Sequence, residues 1–356
     1  MVQFSALTVL LAVATAVSAQ CGSGTPNIVV TGSSGSYTTS RGSTQVYRGS
    51  DYHAAIQRGL DALSSGQRIA VLASGSIGAN TITVGSGKIF EGCGTINAGN
   101  RRGRGAIEST GTTGAQIRYL TLTGTPSFGM LHYGTRDLTL GKITMNLSSG
   151  SGIGIRFHRD EPANTNVVMD SINVRGAGSH AVETWNINGL KINEVIARDV
   201  GECGLLLQKT TNADVGLVDA NNAGTGTGYA AFRMANENGR LSNGRWDTNV
   251  RVRRVVARGG GRGVFCVSQS GGAVIDAIDV QNTGNNAVLI ENCYNVNIRS
   301  GTVNGGGEVR LSARSEFANN RDISLTLHVD NTSVRESPCG TNTNFAITGN
   351  ARKDIC

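Results

Sequence analysis

Residues 152–160 read GIGIRFHRD, a stretch in which apolar residues alternate with other residues. An alternation of period two is typical of a β-strand with one buried face. Ile155 and Phe157 are then expected to point into a core, while Arg156 and His158 share the opposite face. Whether the arginine and the histidine on this face have a function depends on the side chains beside them. Those side chains come from other segments of the chain.

Segments of the same kind recur every 21–27 residues or so, with longer excursions in places. They are HAVETWNIN at 180–188, CGLLLQKTT at 203–211, AAFRMANEN at 230–238, RGVFCVSQS at 262–270, NAVLIENCY at 286–294 and GEVRLSARS at 307–315. Such a repeat, with Asn and Gly at its corners, is typical of a solenoid. The fold class predicted is all-β: a single-domain right-handed parallel β-helix, with regular coils over about 115–325 and a C-terminal cap over about 326–356.

The stretch SDYHAAIQRGLDALSSG at 50–66 predicts the only good helix. Ser50 or Asp51 can cap its start, and an apolar stripe follows at helical spacing. Since the open end of a solenoid needs a cover, we expect this helix to cap the N-terminal end of the coils. No linker or second domain is evident.

The first residues, MVQFSALTVLLAVATAVSA, are small and apolar, and predict a signal peptide over 1–19. The β-helix domain then covers 20–356 and is expected to be secreted, monomeric and without a membrane partner. Asn146 and Asn331 begin N-glycosylation sequons, which fit a secreted protein but also occur by chance.

The chain of 356 residues contains 50 Gly and 4 Pro, and carries a net charge of +7. A basic protein attracts polyanions. Outside the cell these are more often acidic polysaccharides than nucleic acid, so an acidic polysaccharide is the expected partner and nucleic acid is not. A basic surface that is only solvated is the alternative.

Seven cysteines in an oxidising compartment predict disulfides. We expect Cys21 to pair with Cys93, and Cys339 with Cys356, because these pairs would fasten the two ends of the chain. The pairing of Cys203, Cys266 and Cys293 stays open. A buried free thiol is favoured over a catalytic one, because no histidine is judged to lie in register with these three.

Alignment of the recurring segments on their apolar residues places equivalent residues one coil, or about 4.8 Å, apart. One outward column is then Arg156, Glu183, Leu206, Arg233, Phe265, Leu289 and Arg310. The next is His158, Trp185, Gln208, Ala235, Val267, Glu291 and Ser312, and a corner column is Arg159, Asn186, Lys209, Asn236, Ser268 and Asn292. The early coils are polar and aromatic, so they predict a sugar-binding patch, whereas the apolar later coils are expected to be covered.

Aromatic faces stack on sugar rings and arginine forks bind carboxylates. Trp185, Gln208, Arg159 and Asn186 are therefore candidate substrate-binding residues. The alternative is a solvated sheet face, on which Arg156 and Glu183 form an ordinary cross-strand ion pair of small energetic value.

Two excursions interrupt the repeat, at 157–166 and at 234–249. They are either one wall of a groove, with Trp246 as a further substrate-binding residue, or tolerated surface insertions. Asp160 and Glu161 in the first excursion are, with Glu183, candidate calcium ligands. The sequence requires no cofactor, and calcium stays open because it needs several oxygen ligands.

The repeats, the helix over 50–66 and the Asn/Gly corners resemble the pectin-lyase-like superfamily of right-handed β-helices. The resemblance covers nearly all of the mature chain and implies action on an acidic polysaccharide in a groove along an outer sheet face. The NTD, DD, GHG and RIK set of polygalacturonases is missing, as is the DH and RxPxxR set of the main pectate lyase family. SHAVET at 179–184 is only superficially similar to a GHG element, so no catalytic residue is transferred.

The patch is richer in cations than in paired carboxylates, which favours a polysaccharide lyase that acts by β-elimination. His158 or Lys209 is the expected base, and Arg156 and Arg233 the carboxylate clamps. Glu183 orients a cation. A glycoside hydrolase needs two carboxyl groups roughly 5–10 Å apart, for which Glu183 and a carboxylate of the first excursion are the available pair. A non-catalytic polysaccharide-binding or host-recognised protein is the third hypothesis.

Overall fold

A computed structural model describes residues 22–225 and 228–356 of the chain. Within them it forms one α-helix, α1 (Tyr52–Ala62), and β-strands that belong to two sheets. The predicted signal peptide and Cys21 lie outside the described residues, so secretion and the pairing of Cys21 stay predictions.

The larger sheet contains 17 of the described strands. They are β1 (Ile28–Ser33), β2 (Ser36–Arg41), β3 (Thr44–Gly49), β4 (Arg68–Val71), β5 (Gly75–Gly78), β7 (Ile89–Ala98), β9 (Gln116–Gly124), β11 (Arg136–Leu147), β13 (Asn164–Arg175), β15 (Ile187–Val200), β17 (Thr211–Ala223), β19 (Val250–Arg258), β21 (Gly271–Gln281), β23 (Tyr294–Ile298), β24 (Gly301–Asn304), β26 (Arg321–Asp330) and β28 (Thr341–Thr348).

The other 12 described strands form a second sheet, here called the short-strand sheet. They are β6 (Ile82–Thr83), β8 (Gly105–Thr110), β10 (Phe128–Tyr133), β12 (Ile153–Phe157), β14 (Val182–Trp185), β16 (Leu205–Gln208), β18 (Ala230–Ala235), β20 (Arg262–Val267), β22 (Asn286–Glu291), β25 (Glu308–Ser312), β27 (Ser333–Glu336) and β29 (Arg352–Asp354).

Neighbouring strands of the short-strand sheet pair in parallel, and they alternate along the chain with strands of the larger sheet. Each coil therefore contributes to both sheets, which confirms the predicted all-β parallel β-helix. The parallel stack begins before residue 115, where β4 pairs with β7, and it continues past residue 325 to β29.

The register predicted for the short-strand sheet is confirmed. Its first inward column runs through consecutive paired residues: Ile155, Val182, Leu205, Phe232, Val264, Val288 and Val309. All of these side chains are buried. The register is this well defined because a slip of one residue would turn every apolar side chain of a strand outward.

Helix α1 lies over the N-terminal coils and packs against β1 to β6. The Asp51 carboxylate accepts a hydrogen bond from the Ala54 N–H at 3.0 Å, so Asp51 rather than Ser50 is the N-cap. Its apolar stripe is buried as the sequence predicted, with Ile56 and Leu60 inaccessible to solvent. Covering the core in this way removes the open end of the solenoid.

Two disulfides are present among the described residues. Cys339 pairs with Cys356, as predicted, and Cys266 pairs with Cys293, a pairing that the sequence left open. Cys203 is buried and free, which agrees with the prediction of one buried free thiol.

Asn146 and Asn331 both lie at exposed positions, and glycosylation at these sequons stays a prediction. In residues 22–225 and 228–356, no helix combines the length and the hydropathy that spanning a membrane requires.

Candidate functional site

The first outward column of the short-strand sheet has the predicted order. Arg156 pairs with Glu183, Glu183 with Leu206, and Leu206 with Arg233. The column continues through Phe265, Leu289 and Arg310. Alternation along each strand keeps these side chains on the face that points away from the core.

Glu183 is the centre of the polar contacts on this face. Its Oε1 accepts hydrogen bonds from the Trp185 indole N–H at 3.0 Å and from the Gln208 amide at 3.1 Å. The Arg156 guanidinium lies 3.6 Å from its Oε2. Glu183 is only 7% exposed, so these contacts hold a buried carboxylate beside the groove. The ion pair with Arg156 exists, as the plainer interpretation expected, but it is part of a network.

Three aromatic rings contact Arg156 and Arg233 of this column. The guanidinium of Arg156 lies 5.0 Å from the ring centre of Phe128. The guanidinium of Arg233 lies 4.8 Å from the ring centres of both Tyr229 and Phe265. Cation–π stacking of this kind fixes the plane of an arginine while its edge stays available to a ligand. The sequence predicted both arginines as clamps but not the rings that hold them.

The later coils are covered, as expected from their apolar outward residues. Val267 and Leu289 are buried, and Phe265 is 9% exposed. Glu291 of the second outward column is paired with Arg314 at 3.0 Å and accepts a hydrogen bond from the Ser312 hydroxyl.

A cavity of about 420 Å³ opens where the short strands end at the corner of the coils. Its walls come from both excursions of the sequence and from one later loop: Arg159, Asp160, Trp185, Lys209, Asn236, Glu237, Ser268, Gln269 and Phe317. The excursions therefore do line one side of the face. We call this space the corner cavity.

Lys209 occupies a corner position at which its neighbours in the column are asparagines. Its φ is 43°, in the left-handed region that Asn tolerates and Lys rarely adopts. Asn186, one coil away, uses its side-chain amide to bond the carbonyl of Arg159 at 3.0 Å. Lys209 makes no such side-chain hydrogen bond with a described residue. Its exposed side chain lines the corner cavity instead. Strain of this kind often marks a functional residue.

His158 stands at the edge of the same face and is partly exposed. Its Nδ1 accepts a hydrogen bond from the Asp160 backbone N–H at 3.3 Å. The neutral ring then carries its proton on Nε2. In this arrangement His158 can donate a hydrogen bond to a ligand, whereas its lone-pair nitrogen is already in use.

The candidate calcium ligands do not form a ligand cluster. Asp160 is paired with Arg159 at 3.0 Å, and Oε1 of the buried Glu183 is already bonded by Trp185 and Gln208. Glu161 lies at an exposed position in the same loop. Across residues 22–225 and 228–356, no group of three or more His, Cys, Asp or Glu side chains is arranged to hold a metal ion.

Trp246 lies in the second excursion but not at the corner cavity. Its indole N–H bonds the carbonyl of Gln269 at 2.9 Å, and its ring packs edge-on against Tyr294 at 4.7 Å. It lines a different cavity, of about 590 Å³, together with Arg321. Trp246 and Trp185 therefore line different cavities, and the role of Trp246 in substrate binding stays a prediction.

Sequence reasoning missed a histidine–carboxylate pair at the other edge of the face. His180 and Glu202 lie on adjacent coils, with Nε2 and Oε2 3.0 Å apart, and the Cys203 backbone N–H bonds His180 Nδ1 at 3.0 Å. The hydrogen bond from His180 holds the pKa of Glu202 below its usual range, and the Ser179 hydroxyl acts in the same direction. The judgement that no histidine lies in register with a cysteine was wrong.

The signal for this pair was present in the sequence. Val182 pairs with Leu205, so the residues two positions earlier, His180 and Cys203, are also neighbours. The aligned segments HAVETWNIN and CGLLLQKTT begin at these two residues, but the columns compared were those of the strand and the corner that follows it.

No family model matches the chain, and no curated protein matches it in sequence. Solved structures do match it. The mannuronan C-5 epimerase AlgE4 A-module of Azotobacter vinelandii superposes with a TM-score of 0.58, at 14% identity over 86% of this chain and 94% of that one. The AlgE6 A-module of the same organism gives a TM-score of 0.51, at 15% identity over 86% and 88%. The chain thus shares the parallel β-helix fold of these two structures.

Proposed function

We propose that the protein is a secreted carbohydrate-active enzyme that cleaves an acidic polysaccharide by β-elimination on the outer face of the short-strand sheet. The observation that carries this proposal is that Arg156 and Arg233 share the outward column of the short-strand sheet and that Lys209 follows strand β16 of the same sheet. The buried carboxylate of this face, Glu183, already accepts hydrogen bonds from Trp185 and Gln208. The groove offers cations to an anionic chain, and it offers no free pair of carboxyl groups.

In β-elimination a base removes the proton next to the uronate carboxyl group. The C–H electrons form a carbon–carbon double bond, and the bond from the ring to the glycosidic oxygen breaks. The departing oxygen takes a proton from solvent in the open groove. A cation against the uronate carboxylate stabilises the charge that develops in the transition state. Arg156, held between Glu183 and Phe128, is suited to that role.

Lys209 is the better candidate for the base. Its side chain has no hydrogen bond or ion pair with any described residue, and it lines the corner cavity beside Trp185. His158 has its lone-pair nitrogen occupied by the Asp160 N–H. We therefore assign proton removal to Lys209, and substrate hydrogen bonding to His158.

A hydrolase is the second candidate, because Glu202 adds a carboxyl group that the sequence did not suggest. A general acid of a glycosidase has to be protonated at working pH, with a raised pKa. The pKa of Glu202 is instead lowered by His180. This favours the lyase.

The two solved proteins described above are mannuronan C-5 epimerases. Inversion at C-5 of a uronate starts with removal of the same proton as β-elimination. An epimerase is therefore an outcome that the test has to distinguish from a lyase.

The test is incubation with polygalacturonate, rhamnogalacturonan, alginate and glucuronan. A lyase produces an unsaturated product that absorbs in the ultraviolet. New reducing ends without this absorbance would indicate a hydrolase, inversion at C-5 without cleavage an epimerase, and binding without either a non-catalytic protein; each of these refutes β-elimination.

Site variants make the test specific. Lys209→Met should lower turnover by at least a hundredfold, the lower range for a general base. Lys191→Met, at an exposed position of the larger sheet, is the matched control and should retain activity. Full activity of Lys209→Met would contradict the assignment of the base.

A further inference from the structure

Phe265 lies between two guanidinium groups. Arg233 is 4.8 Å from its ring centre, and Arg262, which comes from the start of the same strand β20, is 4.6 Å from it. Both arginines are partly buried. Two cations are thus held against one ring on the outer face of the short-strand sheet.

Neither arginine has a carboxylate partner. Within residues 22–225 and 228–356, no Asp or Glu forms an ion pair with Arg233 or Arg262. The remaining residues, 1–21 and 226–227, contain no Asp or Glu at all. The carboxylates of Glu202 and Glu291 act on Arg233 and Arg262 only through space, without forming an ion pair with them.

The neighbouring arginines of the same face behave differently. Arg310 is paired with Glu308 at 3.1 Å, and Arg314 with Glu291 at 3.0 Å. Arg262 is oriented only by neutral groups: its Nε donates to the Asn286 amide oxygen at 3.1 Å. The structure positions this guanidinium without neutralising it.

Holding two partly buried cations close together is unfavourable unless an anion joins them. The effect is visible at Arg262, whose pKa is lowered by burial and by the charge of Arg233. The Nε of Arg233 is buried and has no hydrogen-bond partner. An anion bound here would relieve the repulsion.

Space for a ligand lies beside Arg262. A cavity of about 700 Å³ is lined by Arg262 and Leu289 and also by Glu291, Glu308 and Arg310. Both of its carboxylates are already in ion pairs, Glu291 with Arg314 and Glu308 with Arg310.

Arg233 belongs to the outward column that begins at Arg156, three coils earlier. At about 4.8 Å per coil the two positions are about 14 Å apart, a distance that a short oligosaccharide spans.

We propose that Arg233 and Arg262 form a second carboxylate-binding subsite, so that the preferred substrate is a uronate oligomer with at least two carboxylates along the groove. This inference rests on the proposed function in its choice of ligand. It gives a role to Arg262, which the proposed β-elimination does not use, beside Arg233.

The experiment measures calorimetric affinity for tetramers of galacturonate, mannuronate, guluronate and glucuronate, and for the carboxyl-reduced, neutral form of whichever tetramer binds most tightly. Loss of a hydrogen bond to a charged group predicts that Arg262→Gln weakens binding of the acidic tetramer by roughly tenfold to a hundredfold. Affinity for the neutral tetramer should not change. Arg253→Gln removes the same charge from an exposed position of the larger sheet and should retain wild-type affinity.

Arg233→Gln is a second variant of the pair and should show the same loss. The subsite is overturned if both variants bind the acidic tetramer as tightly as Arg253→Gln does, or if the wild type binds no acidic tetramer. A wild type that binds through Arg262 but releases no unsaturated product would refute β-elimination and leave the subsite standing.

Discussion

His132 provides a test of the core that is independent of the groove. It is inaccessible to solvent on β10, its ring centre lies 5.2 Å from that of Phe157, and its Nε2 has no hydrogen-bond partner. Burial lowers its pKa to about 4, although the carbonyl of Ser109 acts in the opposite direction. In the unfolded chain the pKa of a histidine is about 6.5.

This difference makes the free energy of unfolding depend on pH. Because the folded pKa is the lower one, unfolding takes up a proton between about pH 6.5 and pH 4. The stabilising contribution is complete above that range and is lost as the pH falls through it. With 1.36 kcal/mol per pKa unit, the loss between pH 7.5 and pH 4.5 is about 2.5 kcal/mol.

His132→Phe and His132→Gln remove the titrating group but keep a side chain of similar size. Urea unfolding at pH 7.5 and pH 4.5 measures the change in free energy for each protein. Other titrating groups contribute equally to all three, so the wild type should lose about 2.5 kcal/mol more than either variant. An equal loss in the wild type and in both variants would show that His132 does not titrate as its burial requires.

Three further predictions concern other parts of the chain. Lys209→Asn should raise the free energy of urea unfolding by about 1 kcal/mol, because Asn tolerates the left-handed backbone, while turnover is lost; an active or destabilised variant would contradict this. Replacing both Cys266 and Cys293 by Ala opens a disulfide with a sequence separation of 27, and should cost about 3 kcal/mol in the same assay. Asp51→Ala removes the N-cap of α1 and should cost about 1 kcal/mol, whereas Asp51→Asn should cost much less.

The architecture could be predicted from the sequence because one physical pattern repeats many times. In every coil an apolar side chain has to reach the core at the same position, so an alignment of Ile155, Val182 and Leu205 amounts to an alignment of neighbours in space. The same logic gave the order of the outward column, including Arg156 next to Glu183. The Asp51 cap and the buried stripe of α1 follow from equally local rules.

The site was less predictable because its contacts depend on side-chain conformation and on residues beyond the strand ends. Alternation states that Glu183 and Trp185 share a face, but it does not state that the indole bonds the carboxylate. His180 and Arg262 lie at the starts of the strands or before them, where no apolar pattern marks the register. Cys293 follows a corner, and its distance from Cys266 cannot be obtained from an alignment of strands.

Two features that the β-helix fold does not require lie along the short-strand sheet. A β-helix needs its inward columns, and it needs residues such as Asn186 that tolerate its corners. It does not need a lysine in a left-handed backbone at position 209, or two unpaired arginines against Phe265. Each of these lowers stability when no ligand is bound. Since they share the outer face of a single sheet, one anionic chain lying along that face would account for all of them, whereas a face selected only for solubility would account for none.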